Sequence, residues 1–175
     1  MKRIHSKAFF LFLLLMFFLP GCSENLSDNK DIEIINIHMD LPEEFREVQE
    51  NMWFLDPLSD DRSNVSLVVT PAIAGEHTLT KGEIKRSILD AYKEKGLTVE
   101  DFEISDIENM EISGFRSDRY SMSYTMQGIP VEQIQLFIYS YENNYTITFT
   151  QMNQADWIDK FEQAIKSIEI EYLEL

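Results

Sequence analysis

Residues 120–150 read YSMSYTMQGIPVEQIQLFIYSYENNYTITFT, and their period decides the fold class. Tyr120, Met122, Tyr124 and Met126 alternate with Ser121, Ser123 and Thr125, the two-residue repeat of a half-covered strand. Gln127-Gly128 offers a tight turn into residues 129–141. Asn143-Asn144 offers another, because both residues tolerate the positive φ of a hairpin turn. Tyr145, Ile147 and Phe149 then alternate with Thr146, Thr148 and Thr150. The middle strand differs. Ile134, Leu136 and Ile138 share one face, while Phe137, Tyr139 and Tyr141 occupy the other, so both faces need cover. The expectation is an α+β fold: an antiparallel sheet of about six strands, flanked by helices on both faces.

Two segments supply the cover. Thr80-Lys81-Gly82-Glu83 fits a capping box, in which hydroxyl and carboxylate satisfy each other's free backbone donors. Ile84, Ile88, Ala91 and Tyr92 follow at helical spacing and Gly96 suits the position after the cap, so the spacing predicts a helix over 81–95. Asp156-Trp157 opens a second helical stripe through Trp157, Phe161, Ala164, Ile165 and Ile168. Upstream, residues 32–39 read as a strand with Ile35, Ile37 and Met39 on one face, ended by Leu41-Pro42. Residues 46–55 lean to a strand ending in Trp53-Phe54-Leu55. Residues 56–64 form a loop, and 65–70 a short buried strand closed by Pro71. Phe102, Ile104 and Ile107 mark one more strand.

The first 31 residues follow another logic. Lys2, Arg3, His5 and Lys7 precede the apolar run 8–19, AFFLFLLLMFFL. Twelve such positions fall short of the about 20 that a membrane span needs, and match the hydrophobic region of a signal peptide. The run ends in Leu19-Pro20-Gly21-Cys22 before the polar stretch SENLSDNKD. This resembles the lipobox of bacterial lipoproteins, although Pro20 stands where a small or aliphatic residue is commoner. The resemblance implies cleavage between Gly21 and Cys22 and a lipid thioether on the Cys22 sulfur. The expected organisation is a signal peptide over 1–21, a lipidated cysteine and polar tether over 22–31, and one domain over 32–175. The protein would then be extracytoplasmic, held on the outer face of the cytoplasmic membrane or, in a Gram-negative envelope, on the outer membrane.

Composition narrows the function classes. The chain has 175 residues, 44% hydrophobic, with 15 basic and 31 acidic side chains, which is an ordinary globular balance. Loss of the leader removes Lys2, Arg3 and Lys7, leaving 12 basic against 31 acidic residues. Such a surface argues against nucleic acid, which needs clustered Lys and Arg, and is repelled by anionic headgroups. Lipid on Cys22 is the expected membrane partner, and a protein with a basic face the other. Cys22 is the only cysteine, so a disulfide has no second thiol.

The strand ending in LPEEF, the paired strands, the single helix, the long meander closing on YTITFT and the final FEQAIKSIEI stretch together resemble the PsbP-like fold. That group includes the photosystem subunit PsbP, the periplasmic protein DcrB and many bacterial lipoproteins. The resemblance spans about residues 32–170. It implies an α/β/α sandwich that acts by binding proteins, and it carries no catalytic motif to map.

No catalytic, cofactor or metal residues are assigned. His38 and His77 lack the paired spacing of a zinc site. Asp56, Asp60 and Asp61, with Ser59 and Ser63, lack the order and terminal Glu of a calcium loop. Glu100, Asp101, Glu103, Asp106 and Glu108 read as an exposed strand face. There is no Gly-x-Ser-x-Gly elbow, and Ser27-Asp28-Asn29-Lys30 falls in the tether. Trp53, Phe54, Tyr120, Tyr124, Tyr139 and Tyr141 read as core, any left exposed being a partner-binding patch. The expectation is a non-enzymatic, lipid-anchored binding module. The alternatives are a small envelope hydrolase with a carboxylate pair, or a carrier of an apolar ligand.

Overall fold

The computed structural model describes residues 32–55, 61–72, 80–153 and 156–174. In chain order they form β1 (Ile32–His38), β2 (Arg46–Gln49), β3 (Met52–Phe54), β4 (Asn64–Pro71), α1 (Lys81–Glu94), β5 (Val99–Ile104) and β6 (Glu108–Ile112). There follow β7 (Phe115–Met126), β8 (Ile129–Tyr139), β9 (Asn143–Met152), α2 (Ile158–Lys166) and β10 (Glu169–Glu174). Eight strands make an antiparallel sheet in the order β2-β3-β4-β9-β8-β7-β5, with β6 also paired to β7; β1 and β10 make a separate antiparallel ribbon.

The meander forms as its sequence dictates. Met126 pairs with Ile129 across a two-residue turn in which Gln127 and Gly128 take φ of 52° and 79°, the mirror-image turn that suits strand twist. In β8 the residues from Gln133 to Tyr139 are all buried. Ile134, Leu136 and Ile138 join one apolar cluster with Ile147, Phe149 and α2; Phe137 and Tyr139 join another with Tyr120, Tyr124 and α1. Both faces are covered. Each fully buried Ile, Leu or Phe contributes roughly 1.5–3 kcal/mol over exposure, so this two-sided burial is the main source of cohesion.

The covering helices are held by their termini. Thr80 caps α1 with the reciprocal Glu83 bonds of a capping box. At the other end Gly96, at φ 69°, sends its N–H to Lys93, while Leu97 donates to Tyr92, closing a Schellman motif. The stripe Ile84, Ile88 and Tyr92 is buried, with Ala91 only half-buried. Helix α2 begins after Trp157, which has no side-chain cap of its own. Instead the Gln151 side-chain carbonyl, reaching from β9, accepts from Trp157 N at 2.6 Å and Ile158 N at 3.1 Å. Phe161 is fully buried between Phe149 (5.4 Å) and Phe45 (5.5 Å).

Several expectations need correction. The described residues hold ten strands, not about six, in two sheets. Residues 46–55 split into β2 and β3 because Asn51, at φ 62°, turns the chain back. A bulge between Ile34 and Asn36 shifts the pleat of β1, so Ile34 and Ile37 face inward and Ile35 is 58% exposed. Ile107 lies between β5 and β6 rather than in a strand. The β8–β9 loop runs over 140–142, and Asn143 and Asn144 begin β9 with ordinary φ. Residues 169–174 leave the helix and pair with β1, which accounts for the second sheet. Tyr141 sits in that loop, half exposed. Trp157, on the predicted helical stripe, is partly buried and packs against the core beneath α2.

Candidate functional site: a groove beside the second helix

The sheet face under α2 is not covered to its edge. Along β7 the residues on this face go from buried Ser117 through half-buried Arg119 to exposed Ser121. Beyond α2 lies a groove of about 390 Å³, lined by Glu103, Ser105, Arg119, Ser121, Ser123, Glu132, Ile158 and Glu162 among others. Each wall has a local cause. Ser123 pairs with Glu103 of β5 on one side and with Glu132 of β8 on the other. With strands about 4.8 Å apart, the two glutamates stand across the serine at a backbone separation of about 10 Å. Ile158 and Glu162, at i and i+4 on α2, form the opposite wall.

Arg119 is tied down. One guanidinium nitrogen reaches Glu108 at 3.1 Å and the other is paired with Glu162. Glu103 and Glu132 are exposed and make no ion pair among the described residues. Ser105 and Ser121 are locked together, Ser121 N donating to Ser105 Oγ and Ser105 N to Ser121 O, both at 2.9 Å. The groove thus presents two unpaired carboxylates and serine hydroxyls over an Arg119 held between Glu108 and Glu162. Chemically it suits a cation with several hydrogen-bond donors, such as a lysine or arginine side chain.

The candidate residues read from the sequence fall elsewhere. Gly21, Cys22, Asp56, Ser59, Asp60 and His77 lie outside the described residues. His38 is exposed, 3.4 Å from Glu171. Asp61 is structural: it accepts from Ser63 N at 2.8 Å, from Ser63 Oγ at 2.6 Å and from Trp157 Nε1 at 2.8 Å. Among the described residues no cluster of three or more His, Cys, Asp or Glu side chains could hold a metal ion. Of the acidic run, Glu103 enters the groove, Glu108 holds Arg119, and Asp106 pairs with Lys81 at 3.1 Å. Trp53 is partly buried, and Phe54, Tyr120, Tyr124 and Tyr139 are core.

On the opposite face the hydroxyls of Tyr92 and Tyr124 meet at 2.6 Å. Burial pushes Tyr92 up to about 12, against the opposing effect of that bond, and raises Tyr124 well above the ordinary tyrosine range. Burial likewise raises Tyr120, whose hydroxyl donates to Gln135 at 2.6 Å. Asp118, buried beside them, accepts from Tyr139 at 2.9 Å and Asn109 at 2.6 Å.

The groove residues Arg119, Glu132 and Glu162 were not singled out by sequence. Their signal was present in the polar face of 120–126, which alternated while its neighbour did not.

No protein-family model and no curated protein sequence matches the chain. Among solved structures, cyanobacterial PsbP from Synechocystis sp. PCC 6803 superposes with a TM-score of 0.51 at 11% identity, covering 85% of this chain and 98% of that one. LpqN of Mycobacterium tuberculosis, described as involved in cell envelope biogenesis, gives 0.49 at 14% identity, covering 83% and 87%. At such identities the likeness speaks for the fold. An antiparallel sheet between helices, with the outline of PsbP, is the architecture of this chain.

Proposed function

We propose that this protein is a lipid-anchored accessory module of the cell envelope, bound to the outer side of a membrane through Cys22 and acting by binding, not by catalysis. Its groove takes a basic segment of a partner protein. The observation that carries this is the pair of unpaired glutamates, Glu103 and Glu132, flanking Ser123 on an open stretch of sheet. The leader, the lone Cys22 and the polar tether support the anchoring. The described residues contain no helix long and apolar enough to cross a membrane.

Magnitudes fit a tethered module. Exposed ion pairs contribute about 0.2–1 kcal/mol each, so two of them give weak binding in dilute solution. Confinement at a membrane raises the effective concentration, toward millimolar for short flexible linkers, and makes weak binding sufficient. A lysine-rich peptide titrated calorimetrically tests the site. Glu103→Gln/Glu132→Gln should weaken binding severalfold, whereas Glu169→Gln/Glu171→Gln, with the same change in net charge, should not. Equal losses in both variants would reduce the groove to a share of the general negative field.

A further inference from the structure

We infer that the end of the domain opposite the groove is a seat for the lipid bilayer surface, an inference that rests on the anchoring through Cys22. Of seven strongly exposed large apolar side chains among the described residues, five gather at one end: Ile35, Val69, Tyr141, Tyr172 and Leu173. The register brings them there. Tyr172 pairs with Ile34 and Leu173 with Glu33 at the start of β1. The Ile34 carbonyl accepts from the Tyr145 hydroxyl at 3.1 Å, and Tyr145 pairs with Val69 at the end of β4. Tyr139 pairs with Asn144 to close the loop that carries Tyr141. The Tyr172 ring lies 5.7 Å from Phe115, where β7 begins. The groove residues Ser123 and Glu132 lie near the far end of the same strands, by the Gln127–Gly128 turn.

The chain enters the domain at this end. Nine residues, 23–31, separate Cys22 from Ile32, and a coil of that length spans roughly 15–18 Å on average, so a lipid on Cys22 would keep the ribbon close to the headgroups. Two tyrosines among five apolar side chains suit the interfacial layer, where an amphipathic ring has both of its environments. Glu33, Glu142 and Glu171 share this end, so contact is made by apolar insertion and not by charge. It therefore favours zwitterionic over anionic lipid. The groove is left facing away from the membrane, toward a partner.

The test uses the full chain, produced in a bacterium with its leader and fed a labelled fatty acid. Leu173→Cys and Tyr141→Cys carry a polarity-sensitive fluorophore, with Ile129→Cys as the far-end control. Acylated Cys22 does not react with the probe. In phosphatidylcholine vesicles the probes at 173 and 141 should shift to the blue and be quenched by spin-labelled lipid, the probe at 129 should do neither, and anionic lipid should weaken the shift. Acylated protein whose probes at 173 and 141 behave like that at 129 overturns the seat while leaving the anchor intact. Protein without the acyl label, scored by fatty-acid incorporation before the fluorophore is added because its free Cys22 thiol would also take the probe, overturns the anchor and with it the seat.

Discussion

Phe161 is the side chain on which the second helix depends. It is fully buried against Phe149 and Phe45, so Phe161→Ala should destabilise the domain by roughly 3–5 kcal/mol in urea denaturation. A change below about 0.5 kcal/mol, typical of a surface site, would contradict this packing. The stripe that exposed Phe161 in the sequence was legible because helix burial follows a single period. Ile35 is the opposite case: alternation alone puts it inside, but a bulge carries no signature residue, and one extra residue reverses the pleat. The tyrosines on the other face make a pH prediction. Their folded pKa values are raised, so the protonated forms contribute stability that is complete below about pH 10. That stability is lost as pH climbs through about 12 for Tyr92. Denaturation midpoints should hold level from pH 8 to 10 and fall above, in step with tyrosinate absorbance. Tyr92→Phe should lessen that fall.

At the scale of elements, local signals and long-range pairing separate cleanly. The capping box of α1, its Schellman end and the Gln127–Gly128 turn were readable because each is made by residues adjacent in sequence. The helical stripe carries on through Ile168 in the sequence, and nothing in that local pattern marks residues 169–174 as a strand. Their partner, β1, lies more than a hundred residues upstream and leaves no trace in the local period. The start of α2 shows the same point, since its cap comes from Gln151 of β9. Gln151→Ala should leave the N–H groups of Trp157 and Ile158 unsatisfied and cost about 0.5–2 kcal/mol, the range for losing an N-cap. Hydrogen exchange should localise the loosening to the first turn of α2. Unchanged protection there would show that the carbonyl contributes nothing.

For the whole molecule, the two ends of the strands differ. One end carries the β1–β10 ribbon and the exposed Tyr141 and Tyr172; the other opens into the acidic groove. The doubly covered strand announced a sheet between helices, but a groove depends on where a helix stops covering a sheet. Glu162 of α2, Glu132 of β8 and Glu103 of β5 meet only in the folded chain. Anchoring belongs to this scale too: Cys22→Ala should leave a folded protein that takes up no labelled acyl chain and leaves the membrane fraction. Such a soluble form should complement a deletion poorly, because it loses the concentration gained by confinement.

The central claim, that an anchored domain binds a basic partner through its groove, is tested most directly by co-purification from gently solubilised membranes. Wild type, Glu103→Gln/Glu132→Gln and Glu169→Gln/Glu171→Gln would be compared across a salt series. The account predicts a partner retained by wild type and by the 169/171 variant, lost from the groove variant, and released as ionic strength rises through about 0.15 M, where the screening length is about 8 Å. A partner that stays with the groove variant at the same salt as with wild type would contradict it.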